Sequence, residues 1–139
     1  IFGMSGDDTL YGKMGDDHID GGSGDDHINA GRGHNRVLGG EGNDILILGA
    51  SDHATGGAGN DAFVPQEWLN EASVTHIADY DPAADRLVII YDQAVHPDPV
   101  LTVEPNDGGS GRSIFIDGAK IAVVNGGPFS ADDVRLVAA

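Results

Sequence analysis

An apolar residue returns at every ninth position through most of the first half of the chain, between clusters of glycine and aspartate. Aligned in nines, residues 3–11 read GMSGDDTLY, residues 21–29 read GGSGDDHIN and residues 39–47 read GGEGNDILI. A disordered linker of glycine and aspartate has no reason to keep such a period. A fixed period indicates stacked repeats, each of which buries its apolar residue against its neighbours.

Each unit reads as a six-residue turn followed by a three-residue strand, and the unit at 48–55 is one residue short. The apolar position holds Leu10, Ile19, Ile28, Val37, Leu46, Ala54 and Phe63. Two residues earlier stand Asp8, Asp17, Asp26, Asn35, Asp44, Asp52 and Asp61. Because side chains alternate across a strand, the apolar residue points inward and both its neighbours point outward. We expect two units to complete one coil, so that every second unit stacks in the same sheet.

That stacking places carboxylates above one another at the strand spacing of about 4.8 Å. Two such charges repel by about 3–4 kcal/mol at an effective dielectric constant of about 20. A thin column of leucine, isoleucine and valine does not easily offset several of these repulsions. Calcium accepts about six to eight oxygen ligands from carboxylates and backbone carbonyls. The repeat therefore predicts calcium ions between successive coils.

The unit resembles the G-G-x-G-x-D-x-U-x nonapeptide of RTX (repeats-in-toxin) proteins, and the resemblance covers residues 1–64. It implies an all-β fold, a right-handed parallel β-roll, with calcium held by the turns. The candidate metal ligands are Asp8, Asp17, Asp26, Asn35, Asp44, Asp52 and Asp61, with Gly6, Gly15, Gly22, Gly24, Gly40, Gly42, Gly57 and Gly59.

Alternate units divide these carboxylates into two rows. The odd row holds Asp8, Asp26, Asp44 and Asp61, an unbroken ladder, and the even row holds Asp17, Asn35 and Asp52. A neutral ligand such as Asn35 lowers the charge of a site and weakens calcium binding. We predict three firmly bound ions in the odd row and up to two weaker ones in the even row, about five in all.

The net charge of −16, with only seven lysines and arginines, argues against nucleic acid and anionic membranes as partners. No cysteine is present to form a disulfide. No apolar run approaches the roughly 20 residues of a membrane span. Because the sequence begins at Ile1, we expect a fragment or a processed form.

Residues 65–139 hold all six prolines and most of the β-branched residues, which predicts a second domain, a β-rich cap on the roll of residues 1–64. Strands are predicted at 74–80, 85–92, 100–104, 113–118 and 120–126, with a hairpin turn at Asp117-Gly118. A short helix carrying Trp68 is predicted at 65–72. THIADYDPAADRLVI and the closing FSADDVRLVAA resemble segments that follow RTX repeats, the latter an uncleaved secretion signal. An ordinary capping element explains the closing segment equally well.

The six histidines show no metal-ligand spacing, and His18 and His27 fall on opposite sheets. No nucleophile elbow, HExxH motif or P-loop is present, so we predict no catalytic residues. Asp79, Asp81 and Asp85 are candidates for one further ion, although carboxylates in surface turns are common.

The resemblance favours a non-catalytic, calcium-dependent folding and stabilisation module at the C-terminus of a bacterial type I secreted protein. Its partners are then calcium ions and, during export, the type I secretion machinery, and its location is extracellular. The alternative is a module that binds polysaccharide or a surface partner for a larger enzyme or adhesin. Few residues suit that role, namely Tyr11, Arg32, Arg36 and Trp68.

Overall fold

The chain was analysed as a computed structural model that describes residues 1–49, 51–66, 74–105 and 111–138. The strands are β1 (Thr9–Tyr11), β2 (His18–Asp20), β3 (His27–Asn29), β4 (Arg36–Glu41), β5 (Ile45–Leu48), β6 (His53–Ala58), β7 (Ala62–Pro65), β8 (Thr75–Tyr80), β9 (Arg86–Tyr91), β10 (Leu101–Pro105), β11 (Arg112–Ile116), β12 (Ala119–Gly126) and β13 (Val134–Ala138). A 3-10 turn spans Ala131–Asp133. In these ranges no helix is long and apolar enough to cross a membrane.

Successive strands of the repeats alternate between two sheets, as the two-unit coil requires. A six-stranded sheet has the order β1-β3-β5-β7-β9-β13, and a seven-stranded sheet has the order β10-β11-β12-β8-β6-β4-β2. Leu10 lies beside Ile28, and Ile28 lies beside Leu46, in parallel register. The structure is thus a parallel β-roll, and the predicted stacking of every second unit is confirmed.

The eight-residue unit at 48–55 shortens one coil without breaking the register. Leu46 pairs with Phe63 and Val37 pairs with Ala54, so both sheets step by 17 residues here. The missing residue falls in a turn, and the inward column continues through Ala54, which is 1% exposed.

The inward column forms the core of the roll. Ile19, Ile28, Val37, Leu46 and Phe63 are all fully buried, as the period of nine predicts. Leu10, in the first coil, is partly buried against the same cluster. The cluster also includes Ile77, Leu87 and Ile114 from beyond Pro65, so the repeats and the following strands share one apolar core.

Both sheets continue past the repeats. β8 pairs with β6 and β9 pairs with β7, both parallel, and β12 and β13 then add in parallel to β8 and β9. β10, β11 and β12 form an antiparallel extension of the seven-stranded sheet. The division of the chain into domains 1–64 and 65–139 remains a prediction, but the hydrogen-bonded sheets show no break at that point.

The predicted strands of the second half are present, with small shifts at their ends. The hairpin between β11 and β12 turns at Asp117 and Gly118, whose φ angles of 51° and 85° suit a type I′ turn. Pro65 ends β7 and Gln66 bridges to Ile90, so no helix begins at Pro65. Residues 67–72 of the predicted helix, including Trp68, lie outside the described residues, as does most of the connection at 105–111.

Glycine is required in the turns because the coils stack closely. Gly22 has a φ of 88°, and a Cβ atom there would overlap the carbonyl group of Met4 in the preceding coil. Met4, in the first coil, adopts a similar φ of 76°. Gly6 has a φ of 101°, yet a Cβ atom on it would meet nothing within 4 Å. Positive φ recurs through the turns, and at these positive-φ positions only the later coils also need glycine to let the backbones approach.

We therefore expect Gly22→Ala to destabilise the folded roll much more than Gly6→Ala. Both changes carry the positive-φ penalty of about 1–2 kcal/mol, and Gly22→Ala adds an overlap costing about 1–3 kcal/mol more. Urea unfolding of both variants in saturating calcium measures the difference. Equal losses would contradict close stacking at Gly22.

Candidate metal centre

A ladder of hydrogen bonds joins the carboxylates of the odd row. The backbone N–H groups of Asp8 and Asp26 donate to Oδ1 of Asp26 and Asp44, each at 2.8 Å. The N–H group of Asp44 donates to Oδ1 of Asp61 at 3.0 Å. The N–H group of Asp61 then donates to Oδ1 of Asp85 at 2.9 Å, so the ladder extends one coil beyond the repeats.

A second ladder runs in the opposite direction one residue earlier in each turn. Oδ1 of Asp7 accepts from the N–H group of Asp25 at 2.8 Å, and Oδ1 of Asp25 accepts from Asn43 at 2.7 Å. Oδ1 of Asn43 accepts from Asn60 at 2.8 Å. The sequence analysis did not identify this ladder, although the recurrence of aspartate or asparagine at the fifth position of the unit was a visible signal. Two opposed hydrogen bonds thus fasten each pair of neighbouring turns.

The second carboxylate oxygen of the odd row has no such partner. Oδ2 of Asp8, Asp26, Asp44 and Asp61 is buried, and no hydrogen bond reaches it from the residues that the structure describes. The side chains of Asp26, Asp44 and Asp61 are no more than 2% exposed. An ionised oxygen held away from water without a partner costs free energy, so these positions call for a cation.

The unpaired oxygens of Asp8, Asp26 and Asp44 each face a backbone carbonyl of the next coil across the first glycine of their own turn. A Cβ atom on Gly39 would lie 2.5 Å from Oδ2 of Asp44 and 2.6 Å from the carbonyl oxygen of Gly56. A Cβ atom on Gly3 would lie 2.8 Å from Oδ2 of Asp8 and 2.5 Å from the carbonyl oxygen of Gly21. A carboxylate and a carbonyl that converge on space kept open by glycine are suitable oxygen ligands for a hard cation.

The carbonyl groups that face the unpaired oxygens do not belong to the glycines that the sequence predicts as ligands. Gly21 and Gly56 stand at the first position of the unit, whereas the prediction named the second and fourth positions. The carbonyl of Gly22 accepts a hydrogen bond of 2.8 Å from the N–H group of Glu41. The carbonyls of Gly6 and Gly24 approach the glycines of the next coil. The predicted glycines therefore serve the close approach of the turns, and their role as ligands remains a prediction.

The even row keeps the ladder of hydrogen bonds, and most of its side chains also have a hydrogen-bond partner for their second polar atom. The N–H groups of Asp17 and Asn35 donate to Oδ1 of Asn35 and Asp52 at 2.8 and 3.0 Å. Nδ2 of Asn35 donates to the carbonyl of Ala30 at 3.1 Å, and Oδ2 of Asp52 accepts from Gly49 at 2.8 Å. Among these three side chains, only Asp17 has a buried second oxygen without a hydrogen bond.

The three carboxylates proposed for a further ion bond to backbone groups of separate segments. Asp79 accepts from the N–H groups of Gly56 and Gly57, both at 2.8 Å. Asp81 caps its own turn by accepting from Ala83 at 2.9 Å, and its N–H group donates to Oδ2 of Asp85 at 2.9 Å. Within the described ranges, no three histidine, cysteine, aspartate or glutamate side chains converge as in a zinc site. The odd-row cradles differ because each combines one carboxylate with backbone carbonyls.

Burial disfavours the charged form of the ladder carboxylates. It raises the pKa of Asp44 and Asp61 to about 6, against the pull of the N–H groups that donate to them. Burial also raises the pKa of Asp26, and the neighbouring charge of Asp8 adds to the effect. A cation between the coils would reverse this preference by favouring the ionised carboxylates.

Four of the six histidines, His18, His27, His53 and His76, lie in strands and point away from the core, whereas His34 and His96 lie between strands. His18 and His27 begin β2 and β3, in different sheets, as predicted. The rings of His53 and His76, which pair across β6 and β8, stack with centroids 4.6 Å apart and planes 5° apart. Burial lowers the pKa of His76, and the nearby charges of His53 and Lys120 act in the same direction.

A parallel roll whose turns repeat one buried carboxylate with an unpaired oxygen defines a class of metal-binding repeat proteins. The family described as RTX calcium-binding nonapeptide repeat (4 copies) matches residues 1–28, 20–52 and 48–64. Residues 1–64, a little under half of the chain, are RTX repeats, and the repeats of this family bind calcium.

A solved structure with a similar fold is the solution structure of the AlgE6R3 subunit from the Azotobacter vinelandii mannuronan C5-epimerase. The TM-score is 0.61 and the sequence identity is 24%, over 86% of this chain and 77% of that chain. At this identity the likeness concerns the fold alone. A comparison with curated proteins found no match.

The raised pKa values predict an unusual pH dependence for the calcium-free protein. Between the ordinary value of 3.8 and the folded value of about 6, folded Asp44 and Asp61 hold protons that the unfolded chain releases. The contribution of these groups to the free energy of unfolding therefore rises as the pH falls through about 6. In chelator, circular dichroism should show more folded protein at about pH 5 than at about pH 7.5.

Saturating calcium should reverse this trend, because ions require ionised carboxylates. Thermal unfolding at the same two pH values, with calcium and with chelator, provides the comparison. A calcium-free protein that becomes more folded as the pH rises through about 6 would contradict the proton uptake by Asp44 and Asp61.

Proposed function

We propose that the chain is a calcium-dependent folding and stabilisation module, non-catalytic by itself, of a larger type I secreted protein. The observation that supports this most directly is the set of buried, unpaired Oδ2 atoms along the odd row. Each of these atoms is buried, and no donor among the described residues forms a hydrogen bond with it. Membership of a calcium-binding repeat family gives the ion its identity.

The proposed calcium sites with the clearest support lie between the turns of Asp8 and Asp26, Asp26 and Asp44, and Asp44 and Asp61. In each gap the unpaired oxygen of the earlier turn meets a first-position carbonyl of the later turn, as seen at Gly3 and Gly39. These are the three firm sites that the sequence predicts. In the even row, where the sequence predicts up to two weaker ions, Asp17 retains an unpaired oxygen, and Asp61 retains one at the end of the odd row.

Calcium then acts by coupling binding to folding. Without the ion, the folded state must hold rows of buried carboxylates close together. Binding of calcium to the folded state alone stabilises it by about 2.7 kcal/mol for each site filled at 100 times its dissociation constant. Sites of the extracellular class, with dissociation constants of about 10⁻⁴–10⁻³ M, stay empty in cytosol and fill outside the cell. The chain would be exported unfolded and would fold after release.

The closing segment is proposed to serve in export as well as in the folded roll. In the folded chain, Val134–Ala138 pairs in parallel with β9 at the end of the six-stranded sheet. One side of this strand pairs with β9, and the backbone N–H and C=O groups on its other side lie at the edge of the sheet. A segment that pairs only after calcium has ordered β9 would remain extended and accessible to secretion machinery during export.

The calcium switch predicts a large spectroscopic change. In chelator at neutral pH, we expect circular dichroism to show little β-structure, and calcium at about 5–10 mM to restore it. Magnesium at the same concentration is the matched control, because Mg²⁺ requires tight octahedral geometry and dehydrates reluctantly. A strong β spectrum and an unchanged melting temperature in chelator would refute the proposed function.

The ligand assignment predicts that Asp44→Ala reduces the number of bound calcium ions by at least one and lowers the melting temperature in calcium. The reason is that Asp44 supplies both the ladder bond to Asp26 and the unpaired oxygen. Asp92→Ala is the control, because it removes the same charge from a turn-capping aspartate of the second half. Equal ion counts in the two variants, measured by equilibrium dialysis and metal analysis, would exclude Asp44 as a ligand.

A second candidate function is the binding of an acidic polysaccharide on the outer face of the seven-stranded sheet. His18, Arg36, His53 and His76 pair successively on β2, β4, β6 and β8, which forms a column of basic side chains in a chain of net charge −16. They line an open groove of about 740 Å³. Tyr11 lies on the other sheet, so the residues suggested from sequence for this role do not all converge.

This candidate predicts retention on an acidic polysaccharide that falls as the salt concentration rises, because salt screens the attraction between exposed charges. Asp16 and Asp17 also line the groove and set a limit on its positive charge. Arg36→Ala should weaken retention, whereas Arg135→Ala on β13 removes the same charge from the other sheet and should not. Equal retention of both variants at low salt would exclude the groove as the binding site.

A further inference from the structure

One turn of the roll departs from the others at two positions together. The unit at 30–38 begins with Ala30 where Gly3, Gly12, Gly21, Gly39 and Gly56 begin the other nine-residue units. The same unit carries Asn35 where the others carry aspartate. Ala30 is fully buried and Asn35 is 1% exposed, so both substitutions lie inside the turn.

The second polar atom of the Asn35 side chain finds its partner within the protein, whereas the second oxygen of an aspartate would need a cation. Its Oδ1 atom accepts from Asp17, so the ladder between coils is intact. Its Nδ2 atom donates to the carbonyl of Ala30 at 3.1 Å. In a turn with aspartate, the corresponding atom is a carboxylate oxygen near the first position of its own unit, and it has no donor to bond. An amide donor that meets a carbonyl acceptor needs no metal.

Ala30 occupies space that glycine keeps open elsewhere. A Cβ atom on Gly39 would come within 2.5 Å of Oδ2 of Asp44, on the side where the unpaired oxygen and the carbonyl of the next coil converge. The turn at 30–35 holds a methyl group at this position without loss of the parallel register to β6. The short unit at 48–55 is comparable, because it begins with Leu48 and Gly49 satisfies Oδ2 of Asp52.

We propose that the turn at Ala30–Asn35 is a metal-free rung, in which the Asn35 amide and the Ala30 methyl group replace a calcium ion. This inference rests on the proposed calcium function and refines it. Every gap of the odd row then depends on calcium. In the even row, the gap from Asn35 to Asp52 is closed by hydrogen bonds of the protein alone.

The experiment counts the calcium ions bound per chain by equilibrium dialysis and metal analysis, with circular dichroism as a check on folding. Asn35→Ala should leave the number of ions unchanged, whereas Asp26→Ala should reduce it. The double variant Ala30→Gly/Asn35→Asp restores the pattern of the odd row and should bind one more ion than the parent chain. A loss of an ion in Asn35→Ala, or an unchanged count in a folded double variant, would overturn the metal-free rung.

The reverse exchange provides an independent test if the first double variant does not fold. Gly39→Ala/Asp44→Asn transfers the metal-free pattern to the odd row and should lose one ion while keeping the β spectrum in calcium. Retention of the full ion count in this variant would also overturn the inference. If the parent chain itself binds no calcium, the proposed function fails. If the parent chain binds calcium but the exchange variants do not change the ion count as stated, the proposed function stands and only the metal-free turn at Ala30–Asn35 is refuted.

Discussion

The structure depends on what happens to the second oxygen of each buried carboxylate. Stacking identical turns brings the same side chain to the same place once per coil, so any unsatisfied group is repeated in every coil. The first oxygen is satisfied by the N–H group of the preceding coil, which draws the turns together. The same contact removes the carboxylate from water and leaves its second oxygen without a donor. A cation between coils resolves every repeat of the problem at once, which explains why a repeat sequence and a metal requirement occur together.

Where the ladder leaves the repeats, backbone donors take the place of the cation. Oδ2 of Asp85 accepts from Asp81, and the carboxylate of Asp79 accepts from two consecutive glycine N–H groups. Asp52 in the short unit is satisfied in the same way by Gly49. Asp52 and Asp85 follow turns that differ from the nonapeptide in length or sequence, and Asp79 lies in β8. In each case the altered path of the chain brings an N–H group within reach. The transition from metal to hydrogen bonds thus follows the loss of the repeat.

The period of nine is sufficient to predict the inward column, the two sheets and the two rows, because each depends only on spacing along the chain. Ile28 and Leu46 are buried for that reason alone. The period does not reveal which oxygen remains unpaired. Asp44 and Asp52 take the same place relative to the inward residue, and only the folded chain shows that the N–H group of Gly49 reaches Oδ2 of Asp52. Alternation in THIADY predicts β8 as a strand but does not specify a parallel partner. The bond between Asp61 and Asp85 spans 24 residues and follows no repeat, so only the folded chain shows it.

Aspartate and the first-position glycine are best regarded as one unit of sequence. A carboxylate here needs both a counter-charge and room for it, and glycine supplies the room, as the close approach to Oδ2 of Asp44 at Gly39 shows. An amide needs neither a counter-charge nor room for one. A methyl group at Ala30 is therefore compatible with the hydrogen bond that Asn35 Nδ2 donates to the Ala30 carbonyl. Changing only one member of the pair gives an unfavourable turn, because aspartate with alanine crowds the buried oxygen and asparagine with glycine leaves a gap. On the proposal made above, metal dependence in this roll is set turn by turn, by two residues five apart, and one chain combines turns that bind calcium with turns that do not.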